Sequence, residues 1–410
     1  MSRICFVSLE RPILPGLGAI ESQTFELARR LALKGHEIHV ITCVDKPQFE
    51  KNDNLVYHKV HTQFSFSETN PYTFIENLTG LIQDTRKATF EVCRENDIET
   101  VHCVFAFSAI GVYLTISKLS SNYFFYELNP SPWLPEYKLH MPWLSSNSDK
   151  LRSIVGHYLD LNIRTFIFRQ FSGVIAISNF VKNEIVKKIK MDPEKIRTVY
   201  FGIDTDKFNT TINGERVRSS FSLGSDPVIL YVGRLTPRKG VEYLVKAAPN
   251  IIKEFPRAKF LLVGPESIYY DRSGKDKYSS YIRNLIRHFN LDKSFIIAGQ
   301  HSDLEAFYAA SNVFVFPTLY EGAAIVMGEA MASGKPIITT SSGSGPELVE
   351  HGKSGILIPP MNENKIAEAV MTLISDEKLA KRLGRNAREQ CVKRFSWDVM
   401  TESMLKAYRF

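Results

Sequence analysis

Two carboxylates stand eight residues apart in this chain, Glu321 and Glu329, with Gly322, Ala323, Ala324 and Ile325 opening the interval between them. An apolar run, Val313 to Phe316, leads into them. A helical run from Ile325 to Ala332 follows, and Gly334 stops it as a C-cap would. The spacing predicts Glu321 just before a helix N-terminus and Glu329 about two turns inside the helix. The unpaired amides of a first helical turn hold anions. Amides for a diphosphate and acids for hydroxyls together suit a sugar nucleotide.

A second candidate is Gly233-Arg234-Leu235-Thr236-Pro237-Arg238-Lys239-Gly240, between an apolar strand and a helix. Arg offers a planar fork of donors and Lys a point charge, a suitable pair for a diphosphate. A solvated basic turn is the plain alternative. Gly299-Gln300-His301 ends another strand and precedes a helix over Leu304–Ala310. Pro15-Gly16-Leu17-Gly18-Ala19-Ile20-Glu21 partly matches the dinucleotide fingerprint. Glu21 stands where the third glycine belongs, and that glycine serves close helix–strand packing, so an oxidoreductase or epimerase reading is weakened. That reading would use NAD, with Asp45 for its ribose. Asp204-Thr205-Asp206 matches an acidic metal motif literally, but it lies in a stretch between strands and not beside a donor site.

These residues need strands and helices to hold them. Short apolar runs alternate with helical periodicity along the chain, which predicts an α/β protein with parallel sheets wrapped by helices. Predicted strands in the first half are Ile4–Leu9, Ile38–Thr42, Thr100–Phe105, Tyr123–Tyr126 and Gly173–Ile177. Those in the second half are Val228–Val232, Phe260–Val263, Phe295–Ala298, Val313–Phe316 and Pro336–Thr340. The polar, turn-rich stretch from Phe201 to Asp226 is the expected junction. Two doubly wound domains follow, 1–200 and 201–394, with a terminal amphipathic helix at about 395–410. Ligands in such folds sit at the carboxyl ends of the strands.

Composition excludes several classes. No run of about 18 uncharged apolar residues is present, so no transmembrane helix is expected. The first residues read as a β-strand and not as a signal peptide. Five cysteines, Cys5, Cys43 and Cys103 among them in apolar runs, read as reduced thiols of a cytoplasmic protein. No Cys/His cluster has zinc spacing. The net charge is +7, with 23 basic and 22 acidic residues in 1–205 and 28 and 22 in 206–410. That surplus reads as scattered surface charge and not as a nucleic-acid footprint, which would cluster on one face. Residues Ser131 to Gln170 mix aromatic and basic side chains, which predicts either an acceptor contact, peripheral contact with a membrane face, or cover for the core.

Taken together these motifs resemble the retaining family 4 glycosyltransferases of GT-B fold. The resemblance rests on Glu321 and Glu329 followed by Ala330-Met331-Ala332-Ser333-Gly334-Lys335-Pro336. It extends to Gly233-Arg234-Leu235 with Lys239-Gly240, to Ile177-Ser178 and Gly202-Ile203-Asp204, and to Gly18-Ala19-Ile20-Glu21 with Gly35-His36-Glu37. It implies two Rossmann-like domains facing a central cleft, the first for the acceptor and the second for the nucleotide sugar, with the terminal helix packed back on the first. It implies transfer of a hexose from a UDP- or GDP-linked donor to a glycan, sugar or lipid-linked hydroxyl, with retention and without a metal or other cofactor. Arg234 and Lys239 would neutralise the leaving diphosphate. Glu321 would hold a hydroxyl of the transferred sugar and Glu329 the ribose. Gly18, Gly233 and the backbone from Gly322 to Ile325 would approach the donor. Gly299, Gln300 and Leu304 would border the nucleobase.

Two departures from the family pattern stand out. Ala323-Ala324 occupies positions where an aromatic residue and a glycine are usual. A catalytic His is usual after the strand Tyr123–Tyr126, and Glu127 stands there. Glu127 either replaces a catalytic polar group or caps the following loop. His102 matches a family His, but the second His two residues on is replaced by Val104. A sugar-nucleotide-binding protein without catalysis therefore stays open beside the enzyme.

Overall fold

The computed structural model describes residues 1–14, 19–45, 47, 52–64, 71–127, 161–266 and 277–409. They form two compact units. The second runs from Ile203 to Ser396, and the first comprises the described residues before Ile203 together with the terminal helix Trp397–Tyr408.

The first unit is built on a seven-stranded parallel sheet: β1 Arg3–Ser8, β2 Glu37–Thr42, β3 Leu55–Lys59, β4 Thr100–Cys103, β5 Asn122–Glu127, β6 Gly173–Ala176 and β7 Ile196–Thr198. Its order is β3-β2-β1-β4-β5-β6-β7. The second unit holds β8 Val228–Val232, β9 Lys259–Val263, β10 Phe295–Gly299, β11 Val313–Phe316, β12 Ile337–Thr340 and β13 Ile356–Ile358, in the order β10-β9-β8-β11-β12-β13. Each sheet starts in its middle, winds outward one way, returns, and winds the other way. That is the doubly wound order, with its switch points between β1 and β4 and between β8 and β11.

The strands form where they do because both faces are covered. Every residue of β8, β11 and β12 is buried, so their sequences are continuous apolar or hydroxyl-bearing runs without alternation. Three strands were not legible in the sequence: β3, β7 and β13. All three are sheet edges, two are only three residues long, and each has half-exposed positions that break the apolar run.

The terminal helix packs in the first unit. Lys34 pairs with Asp398 at 3.7 Å, and the Arg30 guanidinium lies 5.4 Å over the Trp397 ring. Among the described residues no helix is long and apolar enough to cross a membrane.

Candidate functional site

The second unit assembles a charged cluster at its switch point. After β8 the chain passes Gly233 and the exposed Arg234, then makes a short 3-10 turn over Pro237–Lys239. Gly240 closes that turn with φ +70°, and a Cβ there would lie 2.0 Å from the Pro317 carbonyl oxygen. Only glycine allows the basic turn to press so closely on the loop after β11. That contact brings Arg238 and Lys239 onto Glu321.

Arg238 Nη1 donates to Glu321 Oε1 at 2.7 Å and to the Tyr320 carbonyl at 3.1 Å. Lys239 Nζ donates to the other carboxylate oxygen, Oε2, and its ammonium also lies 4.8 Å over the Phe316 ring. Burial raises the Glu321 carboxyl, but Arg238 and Lys239 overcome it and hold the group below its usual range. Burial lowers Lys239 to about 8, with Glu321 opposing the shift. At neutral pH all three are therefore charged. The Arg234 guanidinium takes no hydrogen-bond or ion-pair partner among the described residues.

The peptide of Glu321 is fixed as well. Ser344 N–H donates to its carbonyl at 2.9 Å, and Gly343, at φ +58°, would place a Cβ 2.4 Å from the same oxygen. Thr318, Thr340 and Ser342 hold the preceding carbonyls with their hydroxyls.

Glu329 lies in the fifth position of the helix Ile325–Ala332, little more than one turn in, so the expectation of two turns is corrected. Ala324 caps that helix without a side-chain hydrogen bond. Tyr308 Oη is 3.0 Å from the Val326 carbonyl and 2.9 Å from Glu329 Oε2. A phenol has one proton and a carbonyl only accepts, so both contacts are satisfied when Glu329 is protonated and donates to Oη. Burial pushes the Glu329 carboxyl up to about 7, in the same direction. Two acids eight residues apart are thus driven in opposite directions, one by two cations and one by burial beside a phenol.

Gly299 ends β10 with φ +77°, and its carbonyl accepts from Gly264 N–H at 2.8 Å. Gln300 is exposed, and Leu304 begins the helix that carries Tyr308. Gly322 and Ala324 are buried, and Ala323 and Ile325 half-buried. Asp204, in the rejected acidic motif, accepts from the Asp206 and Lys207 amides at 3.1 and 2.8 Å and so forms a turn. Among the described residues no group of three His, Cys, Asp or Glu side chains is placed to hold a metal.

The switch point of the first unit has its own charges. Glu10, after β1, accepts the Ser108 amide at 2.9 Å at the start of the helix Ala106–Tyr113. Burial pushes its carboxyl up to about 7 against the Ser108 and Phe107 amides and Arg164. Glu127, at the end of β5, is buried and ion-paired with Arg164. His102 is 1% exposed, and its ring lies against Phe6, Tyr126 and Tyr408. Its Nδ1 is 2.7 Å from Tyr408 Oη, and burial lowers it to about 3. The expectation of a catalytic His102 meets a neutral core histidine under the terminal helix. Gly16, Gly18 and the aromatic-basic segment up to residue 160 lie outside the described residues.

Arg238, Tyr308 and Glu10 were missed as site residues. Arg238 stands inside the motif, but the resemblance assigns only Arg234 and Lys239 to the diphosphate. Nothing in the sequence marks Tyr308 or Glu10, because their partners are 21 and 98 positions away.

Known proteins agree with this architecture. Residues 20–207 match the profile of the family described as Glycosyltransferase Family 4, and residues 215–390 that of Glycosyl transferases group 1. The spore coat protein SA of Bacillus subtilis is 30% identical over 57% of this chain and 64% of its own length. A GDP-mannose-dependent phosphatidylinositol monomannoside mannosyltransferase of Mycobacterium tuberculosis is 29% identical over 50% of this chain and 53% of that one. The chain spans about three-fifths of the length of the curated relatives it matches. The sucrose-phosphate synthase of Thermosynechococcus elongatus has the same fold, with a TM-score of 0.79 and 22% identity over 100% of this chain and 98% of that one. Anabaena HepE, solved with UDP-glucose, gives a TM-score of 0.74 with 18% identity over 99% of each chain. Matched in order through both halves, and sharing the GT-B fold of these structures, the chain belongs to the family 4 glycosyltransferases.

Proposed function

We propose that the protein is a retaining, metal-independent glycosyltransferase that moves a hexose from a UDP- or GDP-linked donor to a hydroxyl of a glycan, sugar or lipid-linked acceptor. The observation that carries this reading is Glu321 held between Arg238 and Lys239 at the switch point, with Arg234 exposed beside it. A carboxylate kept ionised accepts hydrogen bonds from sugar hydroxyls. The cations around it meet the charge that grows on a diphosphate as it leaves, and they are oriented before the donor arrives. Relatives fit the same donor class: one is named as GDP-mannose-dependent, and one structure holds UDP-glucose.

In this reading Arg234 and Lys239 face the diphosphate, and the uncapped first turn of Ile325–Ala332 adds amides. Glu329 takes the ribose and gives up its proton to do so. Gly299, Gln300 and Leu304 border the base. The acceptor hydroxyl attacks from the face the diphosphate leaves, and a diphosphate oxygen takes its proton. Glu127 is held by Arg164 and orients the acceptor side, while His102 acts only through packing.

The test is a thermal-shift panel of UDP, GDP, ADP, their sugar conjugates and NAD, in EDTA. A ligand that binds only the folded chain raises its melting temperature by mass action. Stabilisation by one nucleoside diphosphate without metal is the expected result. Stabilisation that requires a divalent cation, or that only NAD produces, overturns the reading. Binding without turnover for any acceptor leaves a nucleotide-sugar-binding protein.

A further inference from the structure

The net charge of +7 is not scattered. The helix Glu377–Phe395 holds seven Lys and Arg against two Glu, so a single element carries a net +5. Its buried side, with Leu383, Ala387, Cys391 and Phe395, packs on its own unit. The opposite side exposes Lys378, Lys381, Arg382, Arg385 and Lys393, with one acid, Glu389, among them. On a helix these positions fall within about 120° of one another and extend over about 22 Å. Lys381 pairs with Glu377, but both are at least 75% exposed, and such a pair is weak. Lys378, Arg382, Arg385 and Lys393 have no ion-pair partner among the described residues.

A groove of about 630 Å³ opens along this face, where Lys381, Arg385, Arg388 and Lys393 outnumber the one acid in its lining, Glu389. Arg388 forms part of its wall, donating to the Phe208 carbonyl at 3.1 Å. Val392, 43% exposed, stands among the cations.

Exposed like charges repel one another, and a sequence gains nothing in stability by gathering them without an anionic partner. We propose that this face docks the protein on an anionic phospholipid surface, with headgroup phosphates seated in the groove and Val392 reaching the headgroup boundary. A row of separated cations fits a sheet of negative charge better than a single soluble anion. A second copy is disfavoured, because the two faces would repel. A nucleic acid would meet the cations, but the exposed side chains of this face include no aromatic ring for a base. The surface lies outside the donor site, so the inference goes beyond the proposed reaction.

The test uses the full chain without donor or acceptor, so its failure leaves the glycosyltransferase reading untouched. Co-sedimentation is measured with vesicles of phosphatidylcholine alone and with phosphatidylglycerol added, at low and at physiological salt. Binding that needs phosphatidylglycerol and weakens with salt is expected. The combined variant Arg382→Ala, Arg385→Ala, Lys393→Ala should bind on the order of a hundredfold more weakly, from the contribution of each cation near such a surface. The same three positions changed to the opposite basic residue should keep binding. Unchanged melting and unchanged nucleotide binding in the Ala variant would show that the fold and the donor site are intact. Absence of phosphatidylglycerol-dependent binding, or equal binding by the Ala variant, overturns the proposal. Tighter binding to a single-stranded oligonucleotide at the same salt overturns it in favour of nucleic acid.

Discussion

The two sheets share one strand order, yet the acids nearest their switch points, Glu321 and Glu10, are driven in opposite directions. Between β8 and β11, Glu321 sits against two cations that keep it ionised. Between β1 and β4, Glu10 sits on backbone amides, and burial pushes its carboxyl up to about 7. Topology decides where polar groups collect, since the strand ends there diverge and leave room. It does not decide their charge. In the second unit a fixed anion among cations is arranged for charge that moves onto a phosphate. In the first, a carboxyl that changes state near neutrality is suited to a hydroxyl-bearing partner. Environments that push acids apart are a guide to separate roles.

The sharpest way to break this contrast is to remove the cation from one side only. Lys239→Ala should lower turnover by about 100- to 1000-fold, the scale seen when a group stabilising transition-state charge is lost. Release of nucleoside diphosphate measures it. The same change leaves Glu321 with Arg238 alone, so the melting temperature should also fall, by a loss of about 2 kcal/mol. Turnover close to that of the parent would remove Lys239 from the leaving-group role.

The next effect separates Glu321 from Glu329 by pH. A nucleotide sugar has no group that titrates near neutrality, so its affinity reports the protein. If Glu329 takes the ribose as a carboxylate, it must lose a proton first, and affinity should fall about tenfold per pH unit below 7. Glu329→Gln should bind weakly with no such slope. Calorimetry from pH 5.5 to about 8.5 reads both. A flat profile in the parent would mean that the neutral carboxyl is the binding form.

Stability gives a matching comparison of the two units. Glu329 and Glu10 each have a folded value of about 7 against an ordinary 4.5, so the folded chain holds an extra proton between these values. The stability each contributes is full below pH 4.5 and is lost as pH rises through 7, roughly 3 kcal/mol apiece. Relative to the parent, Glu10→Gln and Glu329→Gln should each gain stability across that window, and the double variant should show the sum. Denaturant midpoints at pH 5 and about 8 check this. A variant that tracks the parent at both values would show that the replaced acid keeps its ordinary pKa in the folded chain.

How far the sequence could be read follows from where the partners lie. Core strands such as β8 and β11 were legible because burial on both faces writes an unbroken apolar run. The edge strands β3, β7 and β13 were not, because one open side dilutes the pattern. Glu321, Lys239 and Glu329 could be picked out because they sit next to strand ends and a helix start. The pairing of Arg238 with Glu321 spans 83 positions, and only the close approach at Gly240 makes it. The basic face of Glu377–Phe395 escaped for a different reason. A sum over half of the chain averages a single helix away, while its 3.6-residue period gathers the same charges on one side.

The smallest expected effect separates a literal motif from a site. Asp204 and Asp206 have the spacing of an acidic metal motif, but they lie in the stretch between strands and not beside the helix that carries Glu329. The Asp204 carboxylate spends its oxygen on the Asp206 and Lys207 amides, closing a turn. Asp204→Asn keeps an acceptor in that position and loses only the charge, so stability should change by less than about 1 kcal/mol and nucleotide-sugar affinity by nothing measurable. Added divalent cations should make no difference to either form. A loss of affinity equal to that of Glu329→Gln would place the donor against the turn and not against the helix Ile325–Ala332, and the assignment of Glu329 to the ribose would fail with it.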